Sequence, residues 1–291
     1  MSLSAHYLKG GERAACFNAI DVVSRFPAGK AYPRRRSEDA EAFLLETWTI
    51  LGIPKYTQVD NEACFSGGFT HPYVLGKVVR LALQAGTELV FSPVRHPKSN
   101  GFVERFHQDY NRHVWEDTYL ENFSAIQQQA ERFFARYRQR PHSRLDERTP
   151  AAVHGRSHTI PHDLQPTDQR RPLYAGKVHF IRKVQDDNTI SVLNVSWDIP
   201  KVQPGHGVWA TLTIRASGAK LLVFDDAPDV PHRKLLISHA FPLSEPVLPR
   251  PEKPNRKTLL AIVRIAYDLL CRNDVLRVSS VVNVLFHGTM S

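Results

Sequence analysis

Residues 14–155 alternate short runs of branched and aromatic residues with segments of helical periodicity, and this alternation limits the possible folds most strongly. In chain order it predicts strands at 14–23 and 28–32, a helix over 40–51, a strand at 55–59, a helix at 74–85, a strand at 87–91, a long helix after 101 and a helix at 123–139. Strands that come first and then alternate with helices predict an α/β domain with a mixed sheet, ending near residue 155.

Beyond residue 155 the composition changes. Residues 156–173 are polar and contain prolines, which predicts a flexible linker. Residues 174–245 contain short apolar runs separated by turn signals such as Asp186-Asp187-Asn188 and Ala216-Ser217-Gly218, a pattern typical of a small β-barrel. Residues 246–291 begin with a segment rich in Pro and Lys and show no clear domain pattern.

The chain carries an excess of positive charge. Lys and Arg outnumber Asp and Glu by 38 to 29, and the pI is near 9.6. Such an excess suits a protein that binds a polyanion, because neutralising phosphates releases counterions. Many proteins with a similar surplus bind no nucleic acid, so charge alone leaves the question open.

Cysteine usage and hydropathy predict a cytoplasmic protein with no membrane partner. Cys16, Cys64 and Cys271 are too few and too scattered for a disulfide framework or a zinc cluster, which favours free thiols. Residues 1–15 contain no apolar core of signal-peptide length, and no apolar run in the sequence reaches the length of a membrane span.

Two carboxylates occupy positions where α/β domains place functional groups. Asp60 follows the predicted strand 55–59, and Glu104 lies in the first turn of the long helix. Brought together, they would supply hard oxygen ligands to a phosphoryl-transfer site that holds two Mg²⁺ ions about 3.5–4 Å apart. Each also has an ordinary structural interpretation, because Asp-Asn after a strand favours a turn and Glu in a first helical turn complements the helix dipole.

Four motifs in fixed order decide between these interpretations: AIDVVSRF, YTQVDNEACF, SPVRHPKSNGFVERFHQDYNR and YRQRPHSRLDERTPAAV. Over about residues 5–155 they resemble the integrase core of bacterial insertion-sequence transposases and retroviral integrases. The resemblance implies a ribonuclease H-like fold and Mg²⁺-dependent cleavage and transfer of DNA ends. It makes Asp60 and Glu104 the second and third carboxylates of the DDE triad. The strand-rich segment after residue 173 resembles, more loosely, the small barrel that follows the core in these transposases.

The sequence departs from the family pattern in two places. Glu62 stands where the family more often has Gly, and this extra carboxylate either faces the surface or disturbs metal binding. The family's first carboxylate lies on a strand that would come here from residues 1–8, yet no Asp or Glu precedes Glu12. Asp21 belongs to the neighbouring strand, where we expect a structural role. We therefore expect a catalytically impaired core that begins just after the first catalytic Asp and lacks the family's N-terminal DNA-binding region.

Residues on the helix that carries Glu104, and arginines late in the core, are candidate DNA contacts. His107, Gln108 and Asn111 share the face of Glu104 at helical spacing. The arginines either face phosphates or form a solvated helix surface with local ion pairs. The full set of candidates is Lys98, Asn100, His107, Gln108, Asn111, Arg136 and Arg140.

Three functions remain open on the sequence alone. The first is a DDE-type transposase or integrase core that acts on DNA as a homo-oligomer with transposase subunits. The second is a non-catalytic DNA-binding remnant that modulates a full-length transposase, which the absent first carboxylate favours. The third is a ribonuclease acting on hybrids, which the predicted barrel and the Asn-Gly-x-x-Glu context of Glu104 disfavour.

Overall fold

The protein is built on two β-sheets with helices packed against them. The computed structural model describes residues 1–68, 71–93, 101–116, 120–155, 160–161 and 164–250, apart from the side chains of residues 2, 5 and 101–104. The strands are β1 Ser2–Tyr7, β2 Arg13–Ile20, β3 Pro27–Tyr32, β4 Tyr56–Val59, β5 Glu88–Phe91, β6 Leu173–Tyr174, β7 Gly176–Lys183, β8 Thr189–Val192, β9 Val195–Asp198, β10 Gly207–Arg215, β11 Gly218–Phe224, β12 Leu235–Phe241 and β13 Val247–Leu248. The helices are α1 Ser37–Leu51, α2 Ala63–Ser66, α3 Lys77–Ala85, α4 Gly101–Asn111, α5 Phe123–Gln139 and α6 Pro150–His154.

The first sheet contains β1, β2 and β3 in antiparallel order and is covered on both faces. Side chains of β2 alternate between two hydrophobic cores: Phe17 packs with α1, and Cys16 packs with α4 and α5. Because both faces are buried, the strand reads as a continuous apolar run. This arrangement positions α4, the helix that carries Glu104, against the outer face of the first sheet.

The second sheet has the order β12-β11-β10-β7-β5-β4. Strands β4, β5 and β7 run parallel, whereas β7, β10, β11 and β12 pair antiparallel, so the predicted mixed sheet is confirmed. At the β5–β7 junction the rings of Phe91 and Phe180 stack with centroids 5.0 Å apart.

The closed barrel predicted for residues 174–245 is not found among the described strands, although the segment is rich in strands. One edge of β7 pairs with β10 and the other pairs with β5. No edge of β7 is therefore left to close a barrel, and the segment instead extends the sheet that contains β4 and β5.

Local differences from the predicted elements have identifiable causes. Helix α1 begins three residues before the predicted helix, with Arg36 at its N-cap, and the Asp39 carboxylate accepts the Arg36 N–H at 3.1 Å. Within residues 174–245, β8 and β9 form a hairpin that turns at Leu193 and Asn194, both with positive φ. Leucine rarely adopts that conformation, so the sequence carries only a weak signal for this turn.

The described part of the predicted linker is held by buried side chains. Leu164 and Arg171 are buried, and Arg171 donates to Glu41 of α1 at 2.6 Å and to Gln84 of α3 at 2.8 Å. Met1–Arg250 forms one compact unit. The boundaries predicted at residues 155 and 173 stay predictions.

Two further expectations concern membranes and thiols. Within the described ranges, no helix is long and apolar enough to span a membrane. Cys16 and Cys64 are free and buried, as expected, whereas Cys271 lies outside the described residues.

Candidate active site

Asp60 lies directly after β4, at the edge where the parallel strands β4 and β5 both end. It is half-buried. The adjoining strand ends are joined by a hydrogen bond from the Ser92 N–H to the Val59 carbonyl at 2.9 Å and by one from Gln58 Nε2 to Ser92 Oγ at 3.0 Å. The predicted position of Asp60 at a strand end is therefore observed.

The amino group of Met1 also lies near this strand. It donates to the Gln58 carbonyl oxygen at 2.6 Å, which brings the start of β1 beside β4. Burial lowers the pKa of this amino group to about 6, and the negative charge of Asp60 acts in the opposite direction. Burial outweighs this attraction, so the amino group loses its proton more readily than a free amine does.

Glu104 occupies the first turn of α4, as predicted, but its side chain lies outside the described part of the structure. Lys98 and Asn100 also lie outside it. The close approach of the Asp60 and Glu104 carboxylates therefore stays a prediction. Among the described residues, no group of three or more His, Cys, Asp or Glu side chains could hold a metal ion.

Glu62, the extra carboxylate of the second motif, faces the surface. Its Oε2 lies 3.4 Å from Arg35 Nη1, and both side chains are nearly half exposed. This ion pair brings one residue of the run Arg34-Arg35-Arg36 next to the loop that carries Asp60. The structure thus supports the surface alternative for Glu62.

Asp21 organises the turn between β2 and β3. Its carboxylate accepts hydrogen bonds from Ser24 Oγ at 2.5 Å and from the N–H groups of Ser24 and Val23 at 3.0 and 3.3 Å. Burial would raise the pKa of Asp21, but these hydrogen bonds together hold it below its usual value. The contacts are those of a structural turn residue, in agreement with the expected role.

The three candidates on α4 differ in exposure. Gln108 is exposed, whereas His107 and Asn111 are half-buried. Burial lowers the pKa of His107, and His6 of β1 acts in the same direction. Asn111 also contacts His6, where its hydrogen bond opposes the lowering of the His6 pKa by burial. Of the three side chains, Gln108 is the most accessible to a ligand outside the protein.

The arginines of α5 divide into inward and outward sets. Arg138 turns inward, with its guanidinium 4.8 Å from the Phe26 ring centroid and a hydrogen bond to the Pro27 carbonyl at 3.3 Å. Arg136 and Arg140 are exposed, and Arg140 Nη1 lies 3.9 Å from Asp109 Oδ2 on α4. The outward set is thus accessible to phosphates.

Two residues at the strand ends were missed by the sequence reasoning. Asn61 follows Asp60 directly, and that adjacency was a usable signal. Arg182 of β7 donates to Asn61 Oδ1 at 2.9 Å across a sequence separation of 121. No local sequence pattern predicts this contact, because the contact depends on β7 pairing with β5.

Comparison with known proteins agrees with the resemblance carried by the third and fourth sequence motifs. Residues 85–150 match the family model described as an integrase core domain. This part of the chain is therefore similar to integrase core domains.

Solved structures similar to this chain include viral integrases. The catalytic core domain of BIV integrase shares 14% identity over 53% of this chain and 91% of that chain, with a TM-score of 0.39. A chain of the simian T-cell lymphotropic virus intasome shares 14% identity over 87% of this chain and 77% of that chain, with a TM-score of 0.43. The HTLV-2 integrase catalytic core domain in complex with magnesium shares 14% identity over 53% of this chain and 94% of that chain, with a TM-score of 0.39.

Proposed function

We propose that this chain is a transposase or integrase core that acts on DNA in integration and transposition and is catalytically impaired on its own. The observation that carries the proposal is the integrase core match over residues 85–150, which includes Glu104, combined with Asp60 at the end of β4. The basic balance of 38 Lys and Arg against 29 Asp and Glu supports binding to the DNA backbone.

Asp60 and Glu104 would hold Mg²⁺, since both offer the hard oxygen atoms that this ion prefers. Asp60 fits this role because its half-buried carboxylate lies at the sheet edge where β4 and β5 both end. Bound metal would polarise a phosphate of the DNA and activate the attacking oxygen. A complete two-metal site needs a third carboxylate, and none precedes Glu12 in this sequence.

Binding and strand-transfer assays test this proposal. The chain should bind duplex DNA with an affinity that falls as salt rises, and it should not join DNA ends in Mg²⁺. Adding an Asp-bearing strand ahead of residue 1 should recover strand transfer, and Asp60→Asn or Glu104→Gln should abolish it again. Strand transfer by the chain as given that survives Asp60→Asn would contradict both parts of the proposal.

A second candidate is a DNA-binding remnant that modulates a full-length transposase by joining its oligomer. The family motifs in this sequence supply two of the three carboxylates, Asp60 and Glu104, which favours it. It predicts that adding this chain to an active homologous transposase lowers strand transfer in proportion to its concentration, also when the chain carries Asp60→Asn. No change in transposase activity at excess chain would count against it.

A further inference from the structure

Arg182 joins the strand-rich segment to the candidate active site. It lies on β7, and its guanidinium reaches the ends of β4 and β5. Nη2 donates to Asn61 Oδ1 at 2.9 Å, and Nη1 donates to the Ser92 carbonyl at 3.2 Å. One side chain therefore contacts both the residue after Asp60 and the residue after β5.

The rest of the guanidinium is fixed as well. Nε donates to the Ser191 carbonyl at 2.8 Å, Nη1 donates to the Ile181 carbonyl at 2.9 Å, and the group lies 5.2 Å from the Phe180 ring centroid. Within the described ranges Arg182 has no carboxylate ion pair, so a cation is held by neutral oxygens alone. Its planar fork makes several directed bonds at once, which a lysine ammonium cannot reproduce.

Arg182, Asn61 and Ser92 each contact the other two at the sheet edge. The side chain of Asn61 also donates to the Ser92 carbonyl. Arg182, Asn61 and Ser92 thus fix the distance between the ends of β4 and β5. Asp60 directly precedes Asn61. A shift at this junction would therefore move the candidate carboxylate of Asp60.

We propose that Arg182 is a positioning residue for the candidate metal site, supplied by the strand-rich segment rather than by the integrase core. This inference rests on the proposed function. Residues that orient metal ligands without touching the metal commonly change metal affinity about 10–100-fold when mutated. Arg182 acts in this way on Asp60 through Asn61.

The first test measures Mn²⁺ binding to the intact chain by electron paramagnetic resonance, with Asp60→Asn defining the binding that belongs to the site. Arg182→Gln should weaken that binding at least about tenfold. Arg182→Lys keeps the charge but loses the fork and should bind more weakly than the unmodified chain. The matched control is Arg171→Gln, which removes another buried arginine away from Asp60 and should leave Mn²⁺ affinity within about twofold.

The second test needs no metal. Hydrogen exchange should quicken at the amides of residues 60–62 and at Ser92 in Arg182→Gln, while the β10–β11 hairpin keeps its protection. Asn61→Ala removes the side chain that links Arg182 to the Asp60 loop, together with its own hydrogen bond to the Ser92 carbonyl. It leaves the guanidinium in place and gives the same exchange test if Arg182→Gln fails to fold.

The outcomes separate the two proposals. Unchanged exchange at 60–62 in both variants would overturn the role of Arg182 whatever the metal result. Equal losses of Mn²⁺ affinity in Arg182→Gln and Arg171→Gln would show a merely structural effect and would also overturn the positioning role of Arg182. Full Mn²⁺ affinity in Arg182→Lys would overturn that role as well. Mn²⁺ binding that Asp60→Asn leaves intact would remove the metal site from the proposed function, and the exchange result would then decide the positioning role alone.

Discussion

Arg171 and Glu41 form a buried ion pair, with 2.6 Å between Nε and Oε1 and less than a twentieth of either side chain exposed. The pair joins the chain just before β6 to helix α1. Gln84 and the Gln165 carbonyl accept the remaining guanidinium contacts at 2.8 and 2.6 Å. The side chains are therefore paired and hydrogen-bonded, as buried charges require.

Removing one partner of this pair should be costly. Glu41→Gln leaves a buried guanidinium without its counter-charge, and we expect the free energy of unfolding to fall by about 3–5 kcal/mol. Urea denaturation followed by circular dichroism measures this. Glu46→Gln, which removes the exposed partner of Lys30, is the matched control and should cost less than about 1 kcal/mol. Similar losses for both variants would show that burial does not set the contribution of the Arg171–Glu41 pair.

Gly29 should tolerate no side chain. A Cβ at this position of β3 would lie 2.4 Å from Asn18 Oδ1 and 2.4 Å from Phe134 Cζ of α5. Because overpacking displaces neighbouring elements, Gly29→Ala should lower the free energy of unfolding by about 1–3 kcal/mol. Gly207→Ala, also in a strand, meets nothing within 4 Å and should change stability little. Equal thermal midpoints for the two variants would contradict the close approach of α5 to β3.

Stability should fall as the pH drops below neutrality. Burial lowers the pKa of His179, and its hydrogen bond to Glu88 opposes this. Trp209 Nε1–H points at His179 Nδ1 at 3.0 Å, a geometry that suits a neutral ring. A folded pKa below the unfolded value of 6.5 means that the unfolded chain binds more protons, so stability is greatest above pH 6.5 and declines as pH falls towards the folded pKa. His6, His107 and His142 have pKa values lowered by burial in the same direction.

The contribution of His179 can be isolated by urea unfolding at pH 7.5 and 5.5. His179→Gln should lose less stability between these pH values than the unmodified chain does, whereas His206→Gln at an exposed position should show the original loss. A pH dependence that His179→Gln leaves unchanged would exclude a contribution from this ring.

The buried thiols should resist alkylation. Burial raises the pKa of Cys64 to about 12 and that of Cys16 to about 11, so the thiolate that reacts is scarce at pH 8. Iodoacetamide should modify both slowly in the native protein and rapidly in denaturant. Peptide mass spectrometry distinguishes them from Cys271. Fast native modification of Cys64 would contradict the burial of its side chain on α2.

Much of the candidate site could be predicted from local sequence. A strand that ends at Val59 and a helix that begins near Gly101 follow from periodicity and turn residues, and these bounds place Asp60 and Glu104. The ordered motifs added the resemblance to integrase cores. The mutual distance of the carboxylates could not be predicted in this way, since it depends on how separate elements pack.

The sequence by itself determined the elements, the α/β class and the strand-rich character of residues 174–245, because hydrophobic periodicity and turn chemistry act over a few neighbouring residues. Only the tertiary structure decided that β7 pairs with β5 instead of closing a barrel, and that Arg182 reaches Asn61. A strand carries the same pattern whichever partner takes its free edge. The choice depends on the hydrogen bonds and apolar surface that each pairing buries across the whole chain, which no local window of sequence contains.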